Sequence, residues 1–150
     1  MEQLSAKASI QIQQSAEKVF QAISTAQGMS NYFIASGTGD LATNETVLWT
    51  FPEFPDSFPV TGKEIKPNEY ISFDWSGGKP NCLVELFLIP QHDGSTVVKV
   101  VEGVMDKTNE GINQMMQQTE GWANFLACLK AYLDYGINLR KGAFAFMSTK

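Results

Sequence analysis

One long run of helical periodicity, placed after a chain of short β-type segments, constrains this sequence most. From about Asn109 to Tyr135, the residues Ile112, Met115, Met116, Thr119, Trp122, Leu126, Leu129 and Leu133 recur every three or four positions. That spacing puts them on one helical face. Gly136 follows where a left-handed C-terminal residue is expected. At 1.5 Å per residue the helix is about 40 Å long. No other segment approaches it.

The segments before it alternate instead. Ala8-Ser9-Ile10-Gln11-Ile12-Gln13 reads as a half-buried strand with Ala8, Ile10 and Ile12 inward. Ser15 stands as N-cap to a helix carrying Val19, Phe20 and Ile23 on one face, with Glu17 in the first turn. Gly28 is expected to break that helix, and Met29 to Phe33 to form a second short helical turn. Strands are expected at Val47–Phe51, Val60–Lys66, Tyr70–Trp75, Cys82–Ile89 and Ser95–Val104. Pro52, Pro55 and Pro59 mark a loop between the first two of these, because proline removes a ladder donor. The residues Ser76-Gly77-Gly78-Lys79-Pro80 form a turn, and Asp93-Gly94 marks an antiparallel hairpin. The sum is an antiparallel meander with one apolar face, and only the last helix is long enough to cover it.

Composition fits a large apolar interior. The chain has 150 residues, the length of one domain over 1–150. It is 43% hydrophobic and only 18% charged, with ten Phe, four Tyr and three Trp. The net charge of -5 and the lack of a Lys/Arg run argue against a nucleic-acid partner and against electrostatic binding to anionic membranes. No apolar run reaches the roughly 18–20 residues of a membrane span. Met1-Glu2-Gln3-Leu4 has neither a basic nor an apolar signal region, so a cytoplasmic protein is the default expectation. Cys82 and Cys128 lack metal spacing and read as reduced core residues. His92 is the sole histidine, in a turn, and reads as solvated. With one histidine and no metal-spaced cysteines no metal site is expected, and no phosphate-binding loop is, since Gly77-Gly78-Lys79 runs into Pro80 rather than Ser or Thr; no cofactor is expected.

This layout resembles the START/Bet v-like (SRPBCC) superfamily. Gly121-Trp122, Phe125-Leu126 and Leu129-Lys130-Ala131-Tyr132-Leu133 before Gly136 resemble the last helix of the activators of heat-shock protein 90 ATPase homologues. Ala16-Glu17-Lys18-Val19-Phe20, Gly62-Lys63-Glu64-Ile65 with Pro67, Ile71-Ser72-Phe73-Asp74-Trp75 and Gly94-Ser95-Thr96 match other short, mostly structural motifs of that family. The resemblance implies an α+β helix-grip fold. A curved antiparallel sheet of six or seven strands wraps a long C-terminal helix, with two short helices after the first strand. It also implies a cavity and a chaperone partner. The activators that give the family its name carry a further N-terminal domain, for which this chain has no room, and that weakens the co-chaperone expectation.

Three features are candidates for function. Trp49, Phe51, Phe73 and Trp75 from the sheet, with Met115, Met116, Trp122 and Phe125 from the helix, would line an apolar chamber for a small lipid-like or aromatic ligand, or would simply fill the core. Glu85 and Glu102 interrupt apolar strands. If the hairpin pairs residues whose numbers sum to about 185, the two acids lie diagonally on one face. On the concave face they would suit cyclase- or hydratase-type proton transfer; on the other they are surface acids. Phe54 and Phe58, in the proline-rich loop, are lid candidates. Phe144 and Phe146 alternate in the tail and would dock on the sheet edge or serve a dimer contact.

Overall fold

The structure, a computed structural model, describes residues 3–76 and 82–148. The turn expected around 77–80 and the first two residues lie outside this range. The chain runs β1 (Gln3–Ile12), α1 (Ala16–Ser24), α2 (Ala26–Met29), β2 (Ser36–Gly37), β3 (Thr46–Thr50), β4 (Ser57–Lys66), β5 (Tyr70–Asp74), β6 (Leu83–Pro90), β7 (Thr96–Asp106) and α3 (Asn109–Tyr135). The seven strands form one antiparallel sheet in the order β1-β7-β6-β5-β4-β3-β2. Strands β2 to β7 are therefore a meander. α1 and α2 carry the chain from β1 at one edge to β2 at the other. Register shifts at Leu4/Ser5 and Gly62/Ile65 interrupt the ladders, and such bulges increase local twist. This is the helix-grip architecture expected from the sequence.

Caps are where the sequence places them. The Ser15 side chain accepts a bond from the Lys18 N–H, and Gly136 ends α3 in the left-handed region (φ 67°). The α1 break falls earlier than expected. Thr25, extended at φ -104° and ψ 144°, ends α1 and caps α2 through the Gly28 N–H. Gly28 instead serves close packing, because a Cβ there would lie 2.8 Å from the Gln21 carbonyl oxygen. The proline-rich loop is also shorter than expected. β4 begins at Ser57, so Phe58 and Pro59 are strand residues paired with Trp49 and Leu48. β5 pairs only from Thr61 onward, so at Pro59 the strand has one neighbour, a position where proline is tolerated.

The concave face carries Ala6, Val98, Val100, Val84, Leu86, Ile71, Phe73, Val60 and Trp49, all buried. α3 packs against β1 and β7 and adds Trp122, Phe125, Leu126 and Leu129 to this core. Each such side chain contributes roughly 2 kcal/mol by leaving water. Cys82 and Cys128 are buried and unbridged, and burial pushes the Cys128 thiol above its ordinary value. His92 is exposed. Among the described residues, no helix is long and apolar enough to cross a membrane.

Candidate functional site

The hairpin between β6 and β7 decides where the two candidate acids go. Pro90 pairs with Thr96, which leaves five residues in the loop. Asp93 organises them: its Oδ1 accepts from the Ser95 N–H at 2.9 Å and from the Ser95 hydroxyl at 2.5 Å. These bonds hold its carboxyl below the usual carboxylate range. Ser95 is thus a turn residue, and the register places Val84 opposite Glu102 and Glu85 opposite Val101. The expected sum is off by one, and a one-residue slip moves a side chain to the other face. Glu85 and Glu102 lie on opposite faces of the sheet. A two-carboxylate mechanism has no geometric basis here.

Glu85 sits on the outer face, where it accepts a 2.5 Å bond from the Tyr70 hydroxyl. Burial, and then that bond, push the Tyr70 pKa up to about 12. The folded chain thus holds this proton more tightly than the unfolded chain, whose tyrosine titrates near 10.0. The stabilisation is complete below the unfolded value and is lost as pH rises toward the folded one. Melting temperature should therefore fall between pH 10 and 12, and Tyr70→Phe should flatten that fall. Equal slopes for the two proteins would refute the assignment.

Glu102 lies inside, only 2% exposed. Its Oε1 accepts from Trp122 Nε1 at 2.7 Å and Gln118 Nε2 at 2.9 Å, and its Oε2 accepts from Trp75 Nε1 at 2.9 Å. Indole N–H groups and the amide N–H are neutral donors, and together they satisfy an acid set in an apolar layer. The result is a clamp. Trp75 from the end of β5 and Trp122 from α3 are held with ring centroids 5.3 Å apart.

In front of this clamp lies a cleft of about 640 Å³. Phe33, Phe51, Phe58 and Trp75 form its sheet-side wall, with Phe54 at the loop. Gln117, Gln118, Gly121, Trp122 and Asn124 of α3 form the other wall. The tail beyond α3 crosses it with Arg140, Phe144, Phe146 and Met147. Arg140 fastens that tail. Its guanidinium donates to both carboxyl oxygens of Glu53, at 2.7 and 3.3 Å, and stacks 4.9–5.6 Å from the ring centroids of Phe33, Phe51 and Phe144. Cation–π attraction and a largely desolvated ion pair act together there. A smaller hollow of about 540 Å³ beside the β6–β7 hairpin has Phe87 as its one aromatic wall.

The expected site residues divide into three groups. Phe51, Trp75 and Trp122 line the cleft, as do Phe54 and Phe58. Trp49, Phe73 and Phe125 are at most 2% exposed and lie in the core behind it. Met115 and Met116 do not line the cleft, and Met116 is exposed. The cleft opens on the face of α3 that carries Gln117, Gly121 and Asn124, at i, i+4 and i+7, and the two methionines lie off that face. Phe58 is anchored by its β-pairing to Trp49, which makes it a fixed wall. Phe33, Gln118, Gly121, Arg140 and the tail were not anticipated. The one available signal was the single arginine of the chain, Arg140, in a tail that also carries Phe144 and Phe146.

Comparison with known proteins agrees with this geometry. The protein SSP2350 of Staphylococcus saprophyticus superposes with a TM-score of 0.80 at 23% identity, covering 91% of this chain and 96% of that one. The Aha1 dimer of Colwellia psychrerythraea gives a TM-score of 0.76 at 21% identity, covering 89% and 98%. Protein BH1534 of Bacillus halodurans gives 0.70 at 20% identity, covering 89% and 99%. At these identities the likeness is one of fold. No curated protein sequence matches the chain. A family model, activator of Hsp90 ATPase homolog 1-like protein, matches residues 13–134, from the end of β1 through almost all of α3. Strands β2 to β7, both short helices and all but the last residue of the grip helix fall within that match, and the chain belongs to this family.

Proposed function

We propose that residues 1–150 form one START-like domain that binds an apolar or amphipathic small molecule, lipid-like or aromatic, in the cleft between sheet and α3. The observation that carries this reading is the cleft itself. Its volume falls in the roughly 300–1,000 Å³ range of small-molecule sites, and its walls are aromatic with few polar groups.

Gly121 supplies the test. It lines the cleft, and nothing stands within 4 Å of where a Cβ would be. A glycine inside a helix costs about 0.8–1 kcal/mol relative to alanine. Gly121→Leu should therefore raise the melting temperature while filling the cleft. Binding of the apolar fluorophore N-phenyl-1-naphthylamine should weaken at least about tenfold, the equivalent of roughly 1.4 kcal/mol. Unchanged affinity in the stabilised variant would exclude the cleft as the binding site. Native mass spectrometry of freshly purified protein should show a retained small molecule that Gly121→Leu loses.

A second reading, regulation of a heat-shock protein ATPase, draws on family membership and on one surface feature. Tyr135, Ile137 and Leu139 are exposed apolar residues between the end of α3 and Arg140, and such exposure suits a protein partner. Absence of any effect on a chaperone ATPase would remove it.

A further inference from the structure

From the hydrogen bonds around Glu102, we infer that the cleft selects a neutral ligand carrying a hydrogen-bond donor, an aromatic or apolar body with a hydroxyl or N–H group, and that Gln118 reads that donor. This rests on the proposed binding role and specifies its ligand class. An indole N–H only donates. Trp75 donates to Oε2 of Glu102 and Trp122 donates to Oε1, so both carboxyl oxygens are acceptors. The NH2 end of Gln118 donates to Oε1 at 2.9 Å. In this orientation its carbonyl oxygen points away from the acid.

Gln118 is half-buried and lines the cleft. No hydrogen bond among the described residues ends on its side-chain carbonyl oxygen. Gln117 and Glu120 also line the cleft but are exposed on the outer side of α3, and Asn124 lies a turn and a half further along. Both indole N–H groups serve Glu102, and the Arg140 guanidinium is joined to Glu53 through two of its nitrogens. Beside the indole pair, the Gln118 carbonyl oxygen is the acceptor held in place by Glu102. A ligand hydroxyl or N–H satisfies it. A carboxylate or an ether offers that oxygen no hydrogen. Glu102 is a positioning residue in this scheme, acting through Gln118 without meeting the ligand.

Three naphthalene probes of nearly equal body test the proposal: 2-naphthol, 2-methoxynaphthalene and 2-naphthoate. Each is titrated into the full chain and followed by the shifts of the Trp75 and Trp122 indole N–H signals. The expected order is 2-naphthol tightest, by about three- to tenfold over the methyl ether, the usual yield of one neutral hydrogen bond. In Gln118→Met that preference should vanish while the ether binds as before. Equal affinities in the wild-type protein, or tightest binding by 2-naphthoate, would overturn the donor-reading role and leave the cleft as a binding site. Shifts that avoid both indoles for all three probes would overturn the cleft reading together with it. The wild-type comparison decides even if Gln118→Met folds poorly.

Discussion

Glu102→Ala should destabilise the protein by about 3–5 kcal/mol, read as a lower denaturation midpoint in urea. The carboxyl group accepts two indole N–H bonds and one amide N–H bond, and the Trp122 indole is itself buried. Each buried donor left without a partner costs about 1–3 kcal/mol. The space vacated by the side chain adds to this, because α3 is also held by Phe125, Leu126 and Leu129 and cannot close the gap freely. Glu102→Gln should cost less. Its amide carbonyl keeps one acceptor, but its NH2 end faces a donor. The ranking Ala above Gln above wild type is the prediction. Equal stability of all three proteins would mean that the clamp contributes nothing.

Gly62→Ala should cost about 3 kcal/mol for a different reason. Gly62 is buried in β4, at the register shift. A Cβ there would lie 2.1 Å from the Ala42 carbonyl oxygen and 2.9 Å from its carbon. These are backbone atoms, so no rotamer change relieves the contact. The loop is also bound to the strand in both directions, Gly62 N–H to Glu45 C=O at 3.0 Å and Asn44 N–H to Gly62 C=O at 2.8 Å. One methyl group must part this loop from the sheet, and overpacking of this kind costs about 1–3 kcal/mol or more. Thermal melts should show a large drop. A change of under 1 °C would show that the loop yields without resistance.

The parts of the fold readable in the sequence are those fixed by local chemistry. The period of α3, its end at Gly136 and the Ser15 cap depend on residues within a few positions of one another. The β6–β7 register does not. Asp93-Gly94 signals a hairpin, but whether its loop holds four residues or five depends on the bonds between Asp93 and Ser95. That parity sends Glu85 to the outer face and leaves Glu102 inside. The cleft was legible in part. Phe51, Trp75 and Trp122 follow from alternation and helical spacing, whereas Arg140 and Phe144 reach it only because the tail folds back. Met115 and Met116 show the converse limit. A helical stripe marks the face turned toward the core, while the cleft opens on the neighbouring face with Gln117, Gly121 and Asn124.

The three tryptophans form a line, with Trp49 and Trp75 centred 6.1 Å apart and Trp75 and Trp122 5.3 Å apart. At these separations the indoles are close enough for their transitions to couple. Two of the three line the cleft, while Trp49 is sealed in the core. A ligand in the cleft would therefore touch two of the three indoles, and the tryptophan fluorescence and near-ultraviolet circular dichroism should change when it binds. The molecule carries its own optical gauge of whether the cleft is occupied.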